Sequence, residues 1–401
     1  MKDIGIQRDI RVLRERAPGA TPPRAVIGLE AEFNLFINER RRRPEKVFGD
    51  PSRLVRRRMI PRTGKSFQLP AGGAIYFDTG VIEVATPIIE LEAGCCYGAT
   101  RLLWEQIRYL RTELDHWAKR KHCQCRLQGF SAHYNMSFPN ARRSKLRNPT
   151  KLAYLLTHIL PVPVFLLAAN RQSTAVGVRP RGNRIEVTAD FTPDPDLMIA
   201  ATSLITGIVL AVLQWPSHRL EELSRRRFPV IADFRPCKHT SRQGFLARHV
   251  CFPRNPFAAD INACDWKLVD GRTRSLRQIA HEIARPFRRA IRSVTDAASF
   301  THIFEVLSGR ARSLLDFEDR PPRYEDAGRT IDWNRRCHRT LPRSRYERVI
   351  HRILTHRPVR VGPSLYQPER MIGWYEVAFR HTETGRRRVF TLDDLAALSG
   401  I

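Results

Sequence analysis

VIGLEAEFNLFI, residues 26–37, sets two carboxylates, Glu30 and Glu32, into an otherwise apolar run. Its β-branched and aromatic residues predict a strand over Val26–Ile37. Side chains two apart on a strand share a face, so the two acids point the same way. Burying them together is costly, and a bound divalent cation removes that cost. The competing reading is an edge strand with a solvated acidic face.

Three later segments interrupt apolar runs in the same manner. GGAIYFDTGVIEVATP, residues 72–87, predicts two strands joined by a Thr-Gly turn that brings Asp78 and Glu83 together. Asp78 is a candidate base and Glu83 a candidate metal ligand, although a turn Asp often only caps its own backbone. GFSAHYNMSF, residues 129–138, places His133, Asn135 and Ser137 on one strand face, which points to a polar cavity. GNRIEVTADFTPDPD, residues 182–196, places Arg184, Glu186 and Thr188 on one face. The planar Arg fork suits phosphate, and a cross-strand ion pair is the alternative. Arg179 and Arg181 add candidate phosphate contacts. Carboxylate and imidazole ligands, Arg clamps and a positioned base are the parts that metal-assisted phosphoryl transfer needs.

In this order the four segments resemble the glutamine synthetase-like superfamily. The resemblance implies an α+β fold, a curved antiparallel sheet backed by helices, with a smaller, mainly helical C-terminal region. It implies that Glu30 and Glu32 serve one to each of two metal positions. It makes His133 a ligand of the metal that accompanies ATP phosphates, Arg184 a phosphate-binding residue and Glu186 a metal ligand. YFDTGVIEVATP resembles the Pup ligase and depupylase branch more closely, which implies catalysis by Asp78 and metal binding by Glu83. Amidoligases of the glutamate–cysteine ligase type are the other near relatives. The likeness spans about Val26 to Trp215, with fainter echoes in DWKLVDGR (residues 265–272) and IDW (residues 331–333). Thr188 stands where glutamine synthetase has a substrate-binding Arg. The Asp78–Glu83 turn is also shorter than in Pup ligases and lacks their His-Pro. The substrate is therefore left unassigned.

The activity so implied is that of an ATP- and Mg²⁺-dependent carboxylate–amine ligase. Asn135, Arg179, Arg181 and Arg184 would hold the nucleotide, and an amide or isopeptide would form through an acyl-phosphate. Two alternatives stand beside it: a nucleotide-dependent amide or isopeptide hydrolase, and a non-catalytic nucleic-acid-binding protein on this scaffold.

The 401 residues suggest two or three domains. A catalytic domain is expected over 1–235, and an accessory region of mixed helices and a terminal hairpin over 236–401. The net charge of +29 is mostly Arg, densest at Arg40–Arg43, Lys46, Arg53 and Arg56–Arg58. It suits an acidic peptide or protein, or nucleic acid; a solvated Arg-rich surface from coding bias reads equally well. LMIAATSLITGIVLAVLQW, residues 197–215, is long enough to span a membrane, but its Thr, Ser and Gln and the motif before it favour a buried helix. The eight cysteines show no paired CxxC units, so no structural zinc is expected. The N-terminal residues lack an apolar leader segment, and a cytoplasmic chain is expected. Gly64-Lys65-Ser66 echoes the end of a Walker A loop without its first glycine or its strand, and is set aside.

Overall fold

A computed structural model describes residues 24–138, 148–239, 243–329 and 343–398. The decisive strand forms as read: β1 spans Val26–Ile37, with Ile27, Leu29, Ala31, Phe33 and Leu35 buried on one face. In chain order the next strands are β2 (Arg40–Arg42), β3 (Ile60–Pro61), β4 (Phe67–Gln68), β5 (Ala74–Asp78), β6 (Val81–Ala85) and β7 (Ile89–Glu90). Then come β8 (Cys125–Ser137), β9 (Ala175–Arg181), β10 (Arg184–Asp190), β11 (Cys237–Lys238) and β12 (Phe245–Arg248). All join one sheet in the order β11-β12-β9-β10-β8-β1-β6-β5-β4-β3, with β2 and β7 also paired to β1. Every named pairing in it is antiparallel.

One face of this sheet is covered by helices. Cys95–Arg120 lays Leu102, Leu103, Ile107, Leu110 and Leu114 against it, and its last turn carries Lys119 and Arg120, favourable beside the exposed carbonyls of a helix end. Pro149–Ile159 and Pro161–Ala168 each begin with Pro at the first turn, where no backbone donor is lost.

The apolar helix Pro195–Leu213 is a core helix. Asp194 caps it by accepting from the Asp196 and Leu197 backbone, and nearly every side chain is buried. Its polar groups are satisfied locally: Thr202 donates to the Met198 carbonyl at 2.7 Å, and Ser203 donates to Thr295 at 2.8 Å. A Cβ on Gly207 would lie 2.5 Å from the Ile291 Cα, so only glycine lets the 288–294 helix approach this closely.

The expected break at 235/236 falls inside the main hydrophobic core, which runs on to Ala327. The reason lies in the pairing: β12 extends the sheet beside β9, and the helices Leu276–Ala284, Arg288–Val294 and Ala297–Leu307 pack into the same core. The part with its own core comes later. Past a two-stranded ribbon of β13 (Trp266–Lys267) and β14 (Thr273–Arg274), strands β15 (Val359–Val361), β16 (Ser364–Ile372), β17 (Glu376–His381) and β18 (Arg387–Thr391) form a further sheet. Helices Arg345–Leu354 and Leu392–Leu398 flank it, and Val26 and Ile60 complete its core. The expected terminal hairpin is β17–β18. The Arg-rich segment is β2, a short helix at Pro44–Phe48 and a 3₁₀ turn at Pro51–Arg53. The IDW echo at 331–333 and the N-terminal leader reading lie outside the described residues.

Candidate active site

The helix-free face of the main sheet collects the acids. Strand register does most of the placing: Glu32 pairs with Glu83 across β1–β6, Glu30 with His133 across β1–β8, and Glu186 with Asn135 across β8–β10. Four adjacent strands thus bring their polar residues to one patch, while the alternate residues fill the core. At its edge, Thr79 and Gly80 both take positive φ in the two-residue β5–β6 turn. That geometry favours Gly in the second place and matches strand twist. It holds Asp78 one residue from the turn, beside the cleft.

His133 lies at the centre. Its Nδ1 is 3.1 Å from Glu30, 3.8 Å from Glu83 and 4.0 Å from Glu186, and its Nε2 is 3.8 Å from Glu32. Asn135 donates to Glu30 at 3.2 Å, Ser131 to Glu32 at 2.5 Å, and the Tyr76 hydroxyl to Glu83 at 2.6 Å. Ligand atoms of Glu30, Glu83 and His133 fall within 4.8 Å of one another, as do those of Glu32, Asp78 and Glu83. Two overlapping trios sharing Glu83 are what two neighbouring cations would require. Oxygen-rich donors with one imidazole suit a hard ion such as Mg²⁺ or Mn²⁺.

The electrostatics fit the same conclusion. Burial, then the charge of Glu30, pushes the Glu83 carboxyl up to about 9, against the Tyr76 hydrogen bond. Burial also works to raise Glu30, but His133, Arg184 and Asn135 together hold it below its ordinary value. Tyr76 is driven well above the usual phenol range by burial and the surrounding carboxylates. Such a patch carries protons that a divalent cation displaces.

Cations flank it on the β9–β10 side. Glu186, almost wholly buried, has Arg181 at 2.9 Å, Arg184 at 3.6 Å and Arg179 hydrogen-bonded to it. Arg181 and Arg184 line a cleft of about 610 Å³ together with Glu30, Asp78, Glu83, His133 and Glu186. Arg179 is 4% exposed and packs behind Glu186. A smaller apolar pocket of about 220 Å³ adjoins the cleft, shares Glu30, Arg184 and Trp374 with it, and is lined by Val26, Leu29 and Ile88.

The structure therefore brings Glu30, Glu32, Glu83, His133, Glu186, Asp78, Asn135, Arg181 and Arg184 to one place, with Arg179 one layer back. Three residues around the same cleft were not singled out by sequence, Tyr76, Arg62 and Trp374, and Lys65, set aside with its turn, lines it as well. Tyr76 had a signal, since it precedes Asp78 by two on the same strand. Arg62 and Trp374 meet only through tertiary packing, with the guanidinium 4.0 Å over the indole.

No family model matches the chain, and no curated protein does. Among solved structures the chain is similar to one described as the crystal structure of the complex between the prokaryotic ubiquitin-like protein Pup and its ligase PafA. The TM-score is 0.49 and the identity 12%, over 94% of this chain and 92% of that one.

Proposed function

We propose that the chain is an ATP- and Mg²⁺-dependent carboxylate–amine ligase. The observation that carries this reading is the convergence of Glu30, Glu83, His133 and Glu186 beside Arg181 and Arg184, in a cleft that opens onto an apolar pocket. The apolar pocket suits a nucleobase, with Trp374 at the junction. The triphosphate would then run toward Arg184, Arg181 and the carboxylates. Glu30, Glu32, Glu83, His133 and Glu186 would hold two divalent cations, which would supply neutralisation of phosphate charge.

In the first half-reaction a substrate carboxylate oxygen attacks the γ-phosphorus, the bond to the β-bridging oxygen breaks, and ADP leaves. Arg181 and Arg184 stabilise the charge on the transferring group. In the second, an amine attacks the acyl carbon and inorganic phosphate departs as the amide forms. Asp78, which lines the cleft edge, would take the proton that the amine loses. The Arg-rich segment borders this edge: the Gly80 backbone donates to Glu45 at 2.8 Å, which anchors Arg40–Lys46 beside the Asp78 turn. An acidic peptide or protein as one substrate suits that border.

Titration calorimetry of ATP with Mg²⁺ tests the reading. The wild type binds, and a folded Glu30→Gln, Glu186→Gln double variant does not. Net ATP consumption that depends on an added amine separates the ligase from a hydrolase. Absence of nucleotide binding by folded wild type sinks the proposal.

A further inference from the structure

The turn set aside in the sequence, Gly64-Lys65-Ser66, lies on the cleft wall. β3 and β4 pair through Ile60–Gln68 and Pro61–Phe67, which leaves residues 62–66 as a short hairpin turn. The Arg62 backbone closes it on the Ser66 carbonyl at 3.0 Å, and the Ser66 hydroxyl donates to the Thr63 carbonyl at 3.1 Å. Arg62, Thr63, Lys65 and Ser66 all line the cleft.

Arg62 is the unusual member. It is 5% exposed, yet among the described residues it has no carboxylate at ion-pair distance. Its hydrogen bonds go to neutral acceptors, the Gln68 side chain and the Gly373 carbonyl at 2.7 Å, and its face lies on Trp374. A guanidinium this buried normally has an anion beside it. Lys65, exposed at the mouth, also has no ion-pair partner among the described residues. Two cations without an ion-pair partner among the described residues therefore face one cleft.

Their position decides which anion they take. Arg181 and Arg184 sit on the β9–β10 side of the carboxylates, whereas the 62–66 turn joins β3 to β4, at the other end of the strand order beyond β5. Asp78 ends β5, next to β4. The adjoining apolar pocket touches Arg184 but none of residues 62–66, and meets the turn only through Trp374, on which Arg62 lies. Phosphoryl transfer runs roughly in line, with the entering oxygen opposite the leaving one. If the nucleotide lies on the β10 side, the acceptor enters from the β4–β5 side, where Arg62, Lys65 and Asp78 are.

We propose that the 62–66 turn binds the carboxylate-bearing substrate, with Arg62 and Lys65 presenting their charges to its carboxyl groups opposite the nucleotide. This inference rests on the ligase reading and names a subsite for it. The bound carboxylate supplies the close anion that Arg62 lacks among the described residues, where the Glu30 charge reaches it only from beyond ion-pair distance, and Trp374, beneath the guanidinium, fixes its plane.

Protection of Lys65 from acylation tests this on the unmodified protein. A water-soluble N-hydroxysuccinimide ester is applied briefly and modification is read by peptide mass spectrometry, with exposed Lys119 as internal control. The probes are an end-blocked tetraglutamate peptide, and a non-hydrolysable ATP analogue with Mg²⁺. The peptide slows Lys65 about fivefold and leaves Lys119 unchanged, while the analogue slows Lys65 less than about twofold. Equal or stronger protection by the analogue overturns the proposal, because the turn then holds phosphate. Protection by neither overturns it as well. Calorimetry on the same sample isolates the ligase reading: peptide protection without nucleotide binding sinks that reading alone and leaves a carboxylate site in place.

Discussion

At the proposed cation site, Glu83 makes binding a proton-release reaction. It is 3% exposed, and burial with the charge of Glu30 raises its carboxyl from an ordinary 4.5 to about 9. The sign follows from linkage. Without a cation, the folded chain keeps a proton on Glu83 through neutral pH, whereas the unfolded chain loses it near 4.5. The stability held in that proton is complete below 4.5 and is lost as pH rises through about 9. At pH 7 the group lies about two units below its folded value, so only a small fraction of molecules is ionised, and ionising it costs about 3 kcal/mol. A divalent ion that needs the carboxylate meets this cost. Its apparent affinity rises about tenfold per pH unit between roughly pH 6 and 8, with about one proton released per binding event. Mn²⁺ titrated alone by calorimetry, in buffers of differing ionisation enthalpy, reads both quantities without phosphate titration. Glu83→Gln removes the slope and weakens binding. Affinity flat with pH, with less than about a third of a proton released, refutes Glu83 as a ligand that must ionise.

Three other outcomes are expected. Trp374→Ala loses a wall shared by both pockets, and the affinity for an ATP analogue falls about tenfold by calorimetry, whereas an unchanged affinity would place the nucleobase elsewhere. Arg101 donates to the nearly buried Glu347 at 3.0 Å and ties the helix 345–354 to the helix 95–120; Arg101→Met destabilises the chain by about 3 kcal/mol in denaturant unfolding and speeds proteolysis within 343–398. Burial lowers the His158 imidazole to about 4, so it is neutral in the fold, and stability present above 6.5 is lost as pH falls toward 4. His158→Phe keeps the ring contact with Tyr154 and flattens that acid limb; an unchanged limb means that other groups set it.

Much of the main sheet was legible because period two is local. Glu30 and Glu32, or Arg184 and Glu186, announce a shared face from spacing alone, and the Thr-Gly pair announces its hairpin. The 195–213 helix was legible because Asp194 and Pro195 supply a cap and a first turn to an apolar run. The domain boundary was not. Nothing in residues 237–248 says that β12 pairs with β9 rather than founding a new sheet, since pairing partners distant in sequence leave no local periodicity. The role of Arg62 was hidden for a like reason: its neighbours Gly373 and Trp374 lie more than three hundred residues away, so its environment is purely tertiary.

One feature of β8 explains how a single strand serves both the core and the site along its whole length. Against β1 the register changes at Glu32/Phe33: Glu32 faces Ser131, but Phe33 faces Gly129. Phe130 is thus the extra residue of a bulge, and it is 53% exposed. On the near side of the bulge the core-facing residues are odd-numbered, Leu127 and Gly129; on the far side they are even-numbered, Ala132, Tyr134 and Met136. A strand without the bulge keeps one phase, so aligning Leu127 with the core would send Ser131 and His133 inward with it. The inserted Phe130 reverses the phase, and Ser131, His133 and Asn135 turn to the acids of β1. The bulge therefore costs one ladder pairing and an exposed aromatic, and in exchange it sets the imidazole among four carboxylates. Sites built on strands gain their precision from such register devices, because each ligand is fixed by a ladder of backbone hydrogen bonds and not by a loop.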